Sequence, residues 1–238
     1  MLRCPTCAFE NDDFATTCVQ CKSFLQNRVP TLNLFETAWG ILESPRPTFR
    51  KITLAEHKNY SLFLYSGFGV ALSFTVFWYA RLGRHFDSLL DLFPVAVGIG
   101  LGLGLILGPL VGLIVHGFAR MMGSPMKFRN SFGFIAYSFV PVVISLILVL
   151  PLELMTFGMY LFTSNPDPLV IKPASYILLV GFDTITGIWT VLLAAVGTSV
   201  VHRFSMKKSI SLVLVVLGIL LGAFFQIADL ISWFVGRT

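Results

Sequence analysis

Four cysteines near the N-terminus have the spacing of a metal site. They form two CxxC pairs, Cys4 with Cys7 and Cys18 with Cys21, and ten residues separate the pairs. Four thiolates fill the tetrahedral shell that Zn²⁺ adopts in closed structural sites. A segment this short cannot fold on a hydrophobic core, so metal binding would supply its folding free energy. The spacing predicts a structural zinc ribbon, and a redox dithiol or an iron site is the alternative.

The segment between the two pairs resembles the minimal zinc-ribbon pattern, in which a polar turn separates two knuckles. That pattern usually has glycine directly after each CxxC pair, whereas this chain has Ala8 and Lys22. The difference concerns the shape of each knuckle and leaves the predicted ligands unchanged.

Asp183 is the acidic residue that we expect at the middle of an apolar segment. It lies about ten residues after Pro173, which is about 15 Å along a helix and therefore near the midplane of a bilayer. Thr186 and Thr190 continue its helix face, together with small residues. An ionisable group at that depth costs several kcal/mol and marks a candidate intramembrane polar site. A hydrogen-bonded structural role is the alternative. By the same count three other ionisable residues fall near span ends, within reach of water: His116, Glu153 and Asp229.

Glycines recur at four-residue spacing in the second apolar segment. Small residues at this spacing let helix backbones approach closely in a membrane. We expect this face to pack inside the protein's own bundle, with a homodimer contact as the alternative. The glycines concerned are Gly98, Gly100, Gly102, Gly104, Gly108 and Gly112.

The composition places all these residues in a membrane protein. Of the 238 residues 55% are hydrophobic and 12% are charged, and the mean hydropathy is +0.81. Soluble chains carry roughly 25% charged residues, so a water-soluble globule is excluded. The excess of Lys and Arg lies in loops between apolar segments, so we expect no nucleic-acid partner. Residues 1–28 contain no apolar h-region, and no cleavable signal peptide is expected there.

Five apolar segments are long enough to cross a hydrocarbon core of about 30 Å, which takes roughly 20 residues. They are residues 60–80, 94–119, 132–162, 174–201 and 209–235. The third is longer than one span needs, and Pro151 with Glu153 indicates that it has crossed the membrane by about residue 151. The rest of that segment is expected to lie at the interface.

A short amphipathic segment precedes the spans. Leu32, Phe35, Trp39 and Leu42 recur at helical spacing and predict a helix in the membrane interface, which the prolines that follow Ser44 should end. We therefore predict an all-α integral membrane protein with five transmembrane helices, preceded by an interfacial amphipathic helix and a small Cys4 zinc ribbon. The predicted domains are a ribbon at 1–28, a linker with the interfacial helix at 29–59, and a five-span domain at 60–238.

The loops on the side of the N-terminus carry more positive charge than those on the other side. Ten Lys and Arg residues near the spans lie on the first side and four on the second. The positive-inside rule then predicts a cytoplasmic N-terminus and an outside C-terminus. A reducing cytoplasm also keeps the four thiols free to bind a metal.

Three segments carry a family resemblance. They are Trp39-Gly-Ile-Leu-Glu-Ser-Pro-Arg-Pro-Thr-Phe-Arg-Lys-Ile52, then Arg120-Met-Met-Gly123 with Phe132-Gly-Phe-Ile-Ala-Tyr-Ser-Phe-Val-Pro141, and Ile188-Trp-Thr-Val-Leu-Leu193. Over about residues 33–225 the chain resembles the Ypt-interacting-protein (Yip) domain family of five-span membrane proteins. Eukaryotic relatives bind prenylated Rab-type GTPases and act in vesicle traffic, but their Asp-Leu-Tyr-Gly-Pro type motif does not occur here. A zinc ribbon ahead of such a domain resembles a prokaryotic arrangement, which implies a prokaryotic cytoplasmic membrane.

The sequence contains no HExxH, GxSxG, P-loop or dinucleotide-binding motif. We therefore expect no enzyme activity. The resemblance and the ribbon together favour a scaffold or adaptor of the Yip type that recruits an unknown cytoplasmic protein to the lipid bilayer, alone or as a homo-oligomer. The first alternative is a transporter or channel component that uses Asp183, and the second is an intramembrane enzyme.

Overall fold

The computed structural model describes residues 1–27, 29 and 31–235, and the side chains of these residues except 228 and 230–235. A small antiparallel ribbon comes first, in which β1 (Leu2–Arg3) pairs with β2 (Glu10–Asn11). Nine α-helices follow within the described residues. They are α1 (Leu34–Glu43), α2 (Pro45–Leu54), α3 (Ser61–Tyr79), α4 (Leu89–Met121), α5 (Phe128–Ser138), α6 (Val140–Phe157), α7 (Pro168–Ile171), α8 (Pro173–His202) and α9 (Met206–Val235).

In the described part of the chain, five helical segments are long and apolar enough to cross a membrane. They are Ser61–Tyr79, Leu89–Met121, Phe128–Phe162, Pro173–His202 and Met206–Ile227. The predicted fold class, five spans behind a cysteine-bearing N-terminus, is confirmed. We name the end of the bundle that carries the ribbon the ribbon side and the opposite end the far side.

The second span begins five residues earlier than predicted, because a polar cap starts the helix. The backbone N–H of Asp91 donates to Ser88 Oγ, and the Ser88 hydroxyl donates to the Asp91 carboxylate at 2.6 Å. This cap satisfies one of the backbone donors that the first turn leaves free, and the Asp91 carboxylate holds the Ser88 hydroxyl in place. An acidic residue in the first turn also complements the helix dipole.

The third span is divided and does not end where we expected. α5 stops at Ser138 and α6 starts at Val140, with Pro141 in the first turn of α6, where its missing N–H is not needed. Pro151 lies inside α6, and the helix continues beyond it to Phe157. Proline is tolerated within membrane helices because neighbouring groups satisfy the freed carbonyl. Glu153 therefore lies inside the bundle, with 7% of its surface exposed. This differs from the prediction that its side chain reaches water.

Glycines let α3 and α4 approach until their backbones touch. A Cβ atom built on Gly104 would lie 2.2 Å from the backbone oxygen of Tyr65, and one on Gly100 would lie 2.5 Å from the Cα atom of Val70. No side chain fits at either position without separating the two helices. This contact stabilises the pair by close packing, as expected where no hydrophobic force acts between helices.

The other glycines of α4 divide between two faces. Gly108 packs against the ring of Tyr65, and Gly112 lies near the hydroxyl of the same side chain. Gly98 and Gly102 do not pack inside the bundle as expected, because no described residue lies within 4 Å of a Cβ atom built on either one, and the homodimer contact stays a prediction for them. Because an α-helix has 3.6 residues per turn, Gly98 and Gly102 fall beside the packed row rather than in it.

The segment predicted as one interfacial helix forms two helices. Asn33 caps α1, so Leu32 precedes the helix and is buried in the core instead of sharing a face with the other apolar residues. Phe35 and Trp39 are 85% and 69% exposed on the surface of α1. The face that packs against the bundle contains Thr37 and Ile41, both buried. The expected apolar surface is therefore reduced to the two aromatic residues and the half-buried Leu42.

α1 ends before Pro45, as predicted, but Pro45 is also the first residue of α2. The sequence analysis did not predict this second helix. Proline suits the first position of a helix, because its fixed φ is already helical. α2 buries Phe49 and Ile52 against α5 and α8, and the ring of Phe49 meets that of Phe134 edge to face at 6.3 Å. Residues 45–54 thus belong to the same core as the spans.

Two cations bind the carbonyl groups at the end of α2. The Lys58 ammonium donates to the carbonyl oxygens of Ile52, Thr53 and Ala55, and Arg129 donates to Ala55 at 3.2 Å. Cations near a helix C-terminus satisfy carbonyls that have no helical partner. Burial of the ammonium, together with the nearby charge of Arg129, lowers the pKa of Lys58 to about 7.

Candidate metal centre and intramembrane carboxyl pair

The four thiols of the ribbon converge on one point. Their sulfur atoms all lie within 4.8 Å of one another, and the Cys4–Cys21 and Cys7–Cys18 sulfur pairs are each 3.6 Å apart. A tetrahedral ion with metal–sulfur bonds of about 2.3 Å requires sulfur–sulfur distances of about 3.8 Å. All four cysteines are free thiols. The structure therefore brings together the four predicted ligands in an arrangement that fits a tetrahedral metal ion.

Both knuckles use the same backbone turn. The N–H of Ala8 donates to the carbonyl of Cys4 at 3.0 Å, and the N–H of Lys22 donates to that of Cys18 at 3.1 Å. Ala8 has φ of 57° and Lys22 has φ of 60°. This left-handed conformation favours glycine and costs other residues roughly 1–2 kcal/mol. The chain thus forms the glycine-type knuckle without glycine.

Neighbouring polar side chains bind the sulfur atoms. The Ser23 hydroxyl lies 3.1 Å from Cys4 Sγ and 3.0 Å from Cys21 Sγ, and its hydrogen bond lowers the pKa of Cys4 to about 5. Asn11 is buried, donates to Cys18 Sγ at 3.5 Å and accepts from the N–H of Val19 at 2.9 Å. Hydrogen bonds of this kind favour the thiolate that a metal requires. The sequence pattern did not identify Asn11 and Ser23, because their role depends on how the turns fold.

The ribbon rests on the membrane bundle through two arginines. Arg203 directly follows α8, pairs with the carboxylate of Asp12 and lies 5.2 Å from the ring centre of Phe14. Arg50 of α2 donates to the backbone oxygen of Asp13 at 3.2 Å. These contacts hold the ribbon against α2 and the end of α8. The paired residues are far apart in the sequence, so no local sequence pattern predicted these contacts.

Asp183 pairs with residues of α6. Its carboxylate accepts a hydrogen bond from the Ser145 hydroxyl, and the carboxyl group of Glu153 lies close enough to interact with it. The Asp183 residue is exposed on the surface of α8, although its carboxyl group turns toward the neighbouring helix. A carboxyl pair of this kind can share one proton or bind a cation between its oxygens.

The predicted threonine partners do not bind the Asp183 carboxylate. The Thr186 hydroxyl donates to the backbone oxygen of Asp183 at 2.9 Å. Thr190 is buried, and its hydroxyl has no partner among the described residues. The predicted constellation of Asp183, Thr186 and Thr190 is thus replaced by one formed from Asp183, Ser145 and Glu153. Only the packing of α6 on α8 brings these residues together.

A second polar cluster lies at the ribbon side of the bundle. His202 is 1% exposed, and its two ring nitrogens pair with Ser124 Oγ at 2.7 Å and with Ser131 Oγ at 3.2 Å. Ser131 also pairs with His116 Nδ1 at 3.0 Å. The cluster joins α4, α5 and the end of α8, immediately before Arg203. His116, expected to reach water at its span end, is thus bound within the protein.

Comparison with known proteins identifies the membrane part of the chain. The model of the Yip1 domain matches residues 39–227, which include the second half of α1, α2 and all five membrane-spanning segments. No curated protein matches the chain. No solved structure matches it either. The match begins after the cysteine ribbon and covers most of the chain, so the protein belongs to the Yip1 domain family.

Proposed function

We propose that the protein is a non-enzymatic membrane scaffold whose ribbon recruits a protein partner. The observation that carries this proposal is the position of the ribbon. Arg203 and Arg50 hold it on the bundle, while Phe9, Val19 and Phe24 remain exposed on its surface. Apolar side chains that a fixed surface domain leaves uncovered are typical of sites for protein partners.

We propose zinc as the ion in the ribbon, with a structural role. A donor set of four thiolates suits zinc and leaves no ligand position open for water or substrate. The close sulfur–sulfur spacing and the hydrogen bonds from Asn11 and Ser23 support this assignment. The ion would fix the shape of the ribbon and so the placement of its exposed residues.

We place the ribbon side in the cytoplasm of a prokaryotic cell. The Lys and Arg excess of the loops on that side supports this orientation. Free thiols at the candidate metal site also fit a reducing compartment. The partner is then a cytoplasmic protein, and the lipid bilayer holds the scaffold in place.

Cross-linking in native membranes followed by affinity purification tests the recruiting surface. A double variant, Phe9→Ser with Val19→Ser, should lose the cross-linked protein while its metal content stays at the wild-type level. Met121→Ser is the matched control, because Met121 is also an exposed apolar residue on the ribbon side but is the last residue of α4, outside the ribbon. Equal recovery of the same protein with all three chains would contradict the proposal.

A second candidate function is supported by the carboxyl pair. Asp183, Glu153 and Ser145 form a polar cluster within the spans, where such groups often mark an ion or proton path. As a transporter or channel component, the protein should give a proton or cation flux in liposomes. Asp183→Asn should then fold normally and abolish that flux. A scaffold should show no such flux, and its partner recruitment should survive the substitution.

A further inference from the structure

A long apolar slot runs through the membrane bundle between α3, α4 and the far-side half of α9. Its volume is about 780 Å³. One stripe of α4 lines it from Val95 to Ile114, and Ile219 to Ile227 of α9 close its far-side half. At 1.5 Å per residue the stripe on α4 is about 28 Å long, which is almost the thickness of the hydrocarbon core.

The dimensions of the slot indicate which kind of molecule can bind in it. The volume of about 780 Å³ counts positions for the centres of water-sized atoms, so over a length of about 28 Å the walls stand about 9 Å apart. An α-helix with its side chains is about 10–12 Å across and does not fit. One hydrocarbon chain does fit, and the walls are formed almost entirely by aliphatic and phenylalanine side chains.

Polar groups are found at the far-side mouth of the slot. His85 lines the mouth, and its Nε2 atom accepts a hydrogen bond from Arg84 Nε at 3.0 Å. In a neutral imidazole with Nε2 accepting, the proton is on Nδ1, and this N–H can donate to a ligand. The terminal N–H groups of the Arg84 guanidinium can also donate, because the bond uses only Nε. These donors are exposed and have no further partner among the described residues. They suit an oxyanion such as a phosphodiester.

Ser73 provides a further donor deeper in the slot. It lines the wall on α3, is 1% exposed, and its hydroxyl has no partner in the described part of the chain. It lies six residues before Tyr79, the last residue of α3, and so about 9 Å below the far-side end of that helix. A buried hydroxyl without a hydrogen-bond partner costs free energy. A molecule in the slot that offers a hydrogen-bond acceptor to Ser73 is therefore favoured.

We propose that the slot binds one glycerophospholipid from the leaflet on the far side. An acyl chain occupies most of the apolar length from the far side inward, the phosphate accepts hydrogen bonds from Arg84 and His85, and an ester carbonyl accepts one from Ser73. This site is independent of the ribbon and of the recruitment proposed above. It makes α9, which contacts α4 only sparingly, depend on a lipid for its packing against α3 and α4.

Native mass spectrometry of protein extracted from phosphatidylethanolamine–phosphatidylglycerol vesicles tests the chain site. Wild type should retain one phospholipid under conditions that strip the remaining ones. Leu103→Trp fills the slot and should lose it. Ile106→Trp is the matched control, because Ile106 lies at similar depth on α4 but is 69% exposed outside the slot.

The proposal is overturned if Leu103→Trp retains the same phospholipid as wild type. Ala223→Leu obstructs the slot from α9 and decides the result if Leu103→Trp does not fold. Thermal unfolding of each variant shows which of them folds. A slot that is filled by detergent alone in wild type would also overturn the proposal.

A second measurement tests the headgroup. Arg84→Gln with His85→Gln should weaken retention of phosphatidylglycerol about tenfold, as expected when charge-assisted hydrogen bonds are lost. Retention of diacylglycerol, which has the same chains without the phosphate, should stay unchanged. Lys172→Gln is the control, because it removes another exposed cation on the far side. Equal weakening for both lipids, or none for phosphatidylglycerol, would overturn the phosphate contact.

Discussion

At the scale of single residues, the thiols of the ribbon are the clearest case of chemistry set by spacing. We expect about one zinc per chain in freshly purified protein, because four convergent sulfurs match the ligand number of the ion. Cys4→Ser should reduce the zinc content sharply, as measured by elemental analysis. Since the ribbon is separate from the spans, the variant should still insert into the membrane. A wild-type zinc content near zero would refute the assignment.

The left-handed residues after each knuckle give a second prediction. Ala8→Gly removes the steric strain at φ of 57° without changing charge. Metal binding is coupled to folding in small zinc sites, so a gain of about 1 kcal/mol in the proposed zinc ribbon should tighten zinc roughly fivefold in a chelator competition. Ala15→Gly is the control, because Ala15 does not have positive φ. It should bind zinc no tighter than wild type, and a similar gain in both variants would contradict the explanation.

Lys58 gives a pH-dependent prediction. Its pKa is about 7 in the folded protein and near the usual value of about 10.4 when unfolded. Between these values the unfolded chain binds more protons, so stability increases as the pH rises from about 7 to 10. Thermal unfolding in detergent should show this increase for wild type and a smaller one for Lys58→Met. Parallel pH profiles for the two proteins would exclude the assignment.

Sequence spacing identified the four thiols that converge in the ribbon but not the partners of Asp183. Cys4 and Cys7 lie within one turn, so local spacing alone brings their thiols together. Glu153 and Ser145 meet Asp183 only because α6 packs on α8. Nothing in the local pattern encodes that contact. The depth count found Asp183 but misplaced Glu153, because the helix continues past Pro151.

At the scale of elements, the contact between α3 and α4 depends on individual glycines. Gly104→Ala places a methyl group 2.2 Å from the backbone oxygen of Tyr65, so the helices must separate. We expect a loss of roughly 1–3 kcal/mol or more, typical of an overpacked contact. Gly102→Ala is the matched control, since nothing lies within 4 Å of its new methyl group. Thermal unfolding in detergent should separate the two variants clearly, and equal midpoints would contradict the packing described.

Apolar length predicted all five spans, because a bilayer requires about 20 apolar residues regardless of tertiary contacts. The ends of the spans were predicted less accurately, because caps such as Ser88 with Asp91 extend a helix beyond its apolar part. α2 was missed because Pro45 and Pro47 were interpreted as a break. Phe49 and Ile52, three residues apart, carried the periodic signal that could have identified it.

At the scale of the whole molecule, orientation is the testable property. With the four native cysteines removed, single cysteines replace Asp167 on the far side and Lys207 on the ribbon side. An impermeant maleimide applied to sealed cells should label the first and not the second, because the positive-inside rule places the ribbon side in the cytoplasm. Labelling both after permeabilisation is the control. Equal labelling in intact cells would refute the orientation.

The contact between Asp12 and Arg203 also has a consequence for biosynthesis. The two residues are 191 positions apart. At about 5–20 residues per second, a ribosome adds Arg203 about 10–40 s after Asp12. The ribbon can acquire its ion long before its docking surface exists. It must therefore wait beside a partly inserted bundle, and its surface stays open to chaperones or to its partner until the fourth span has been made.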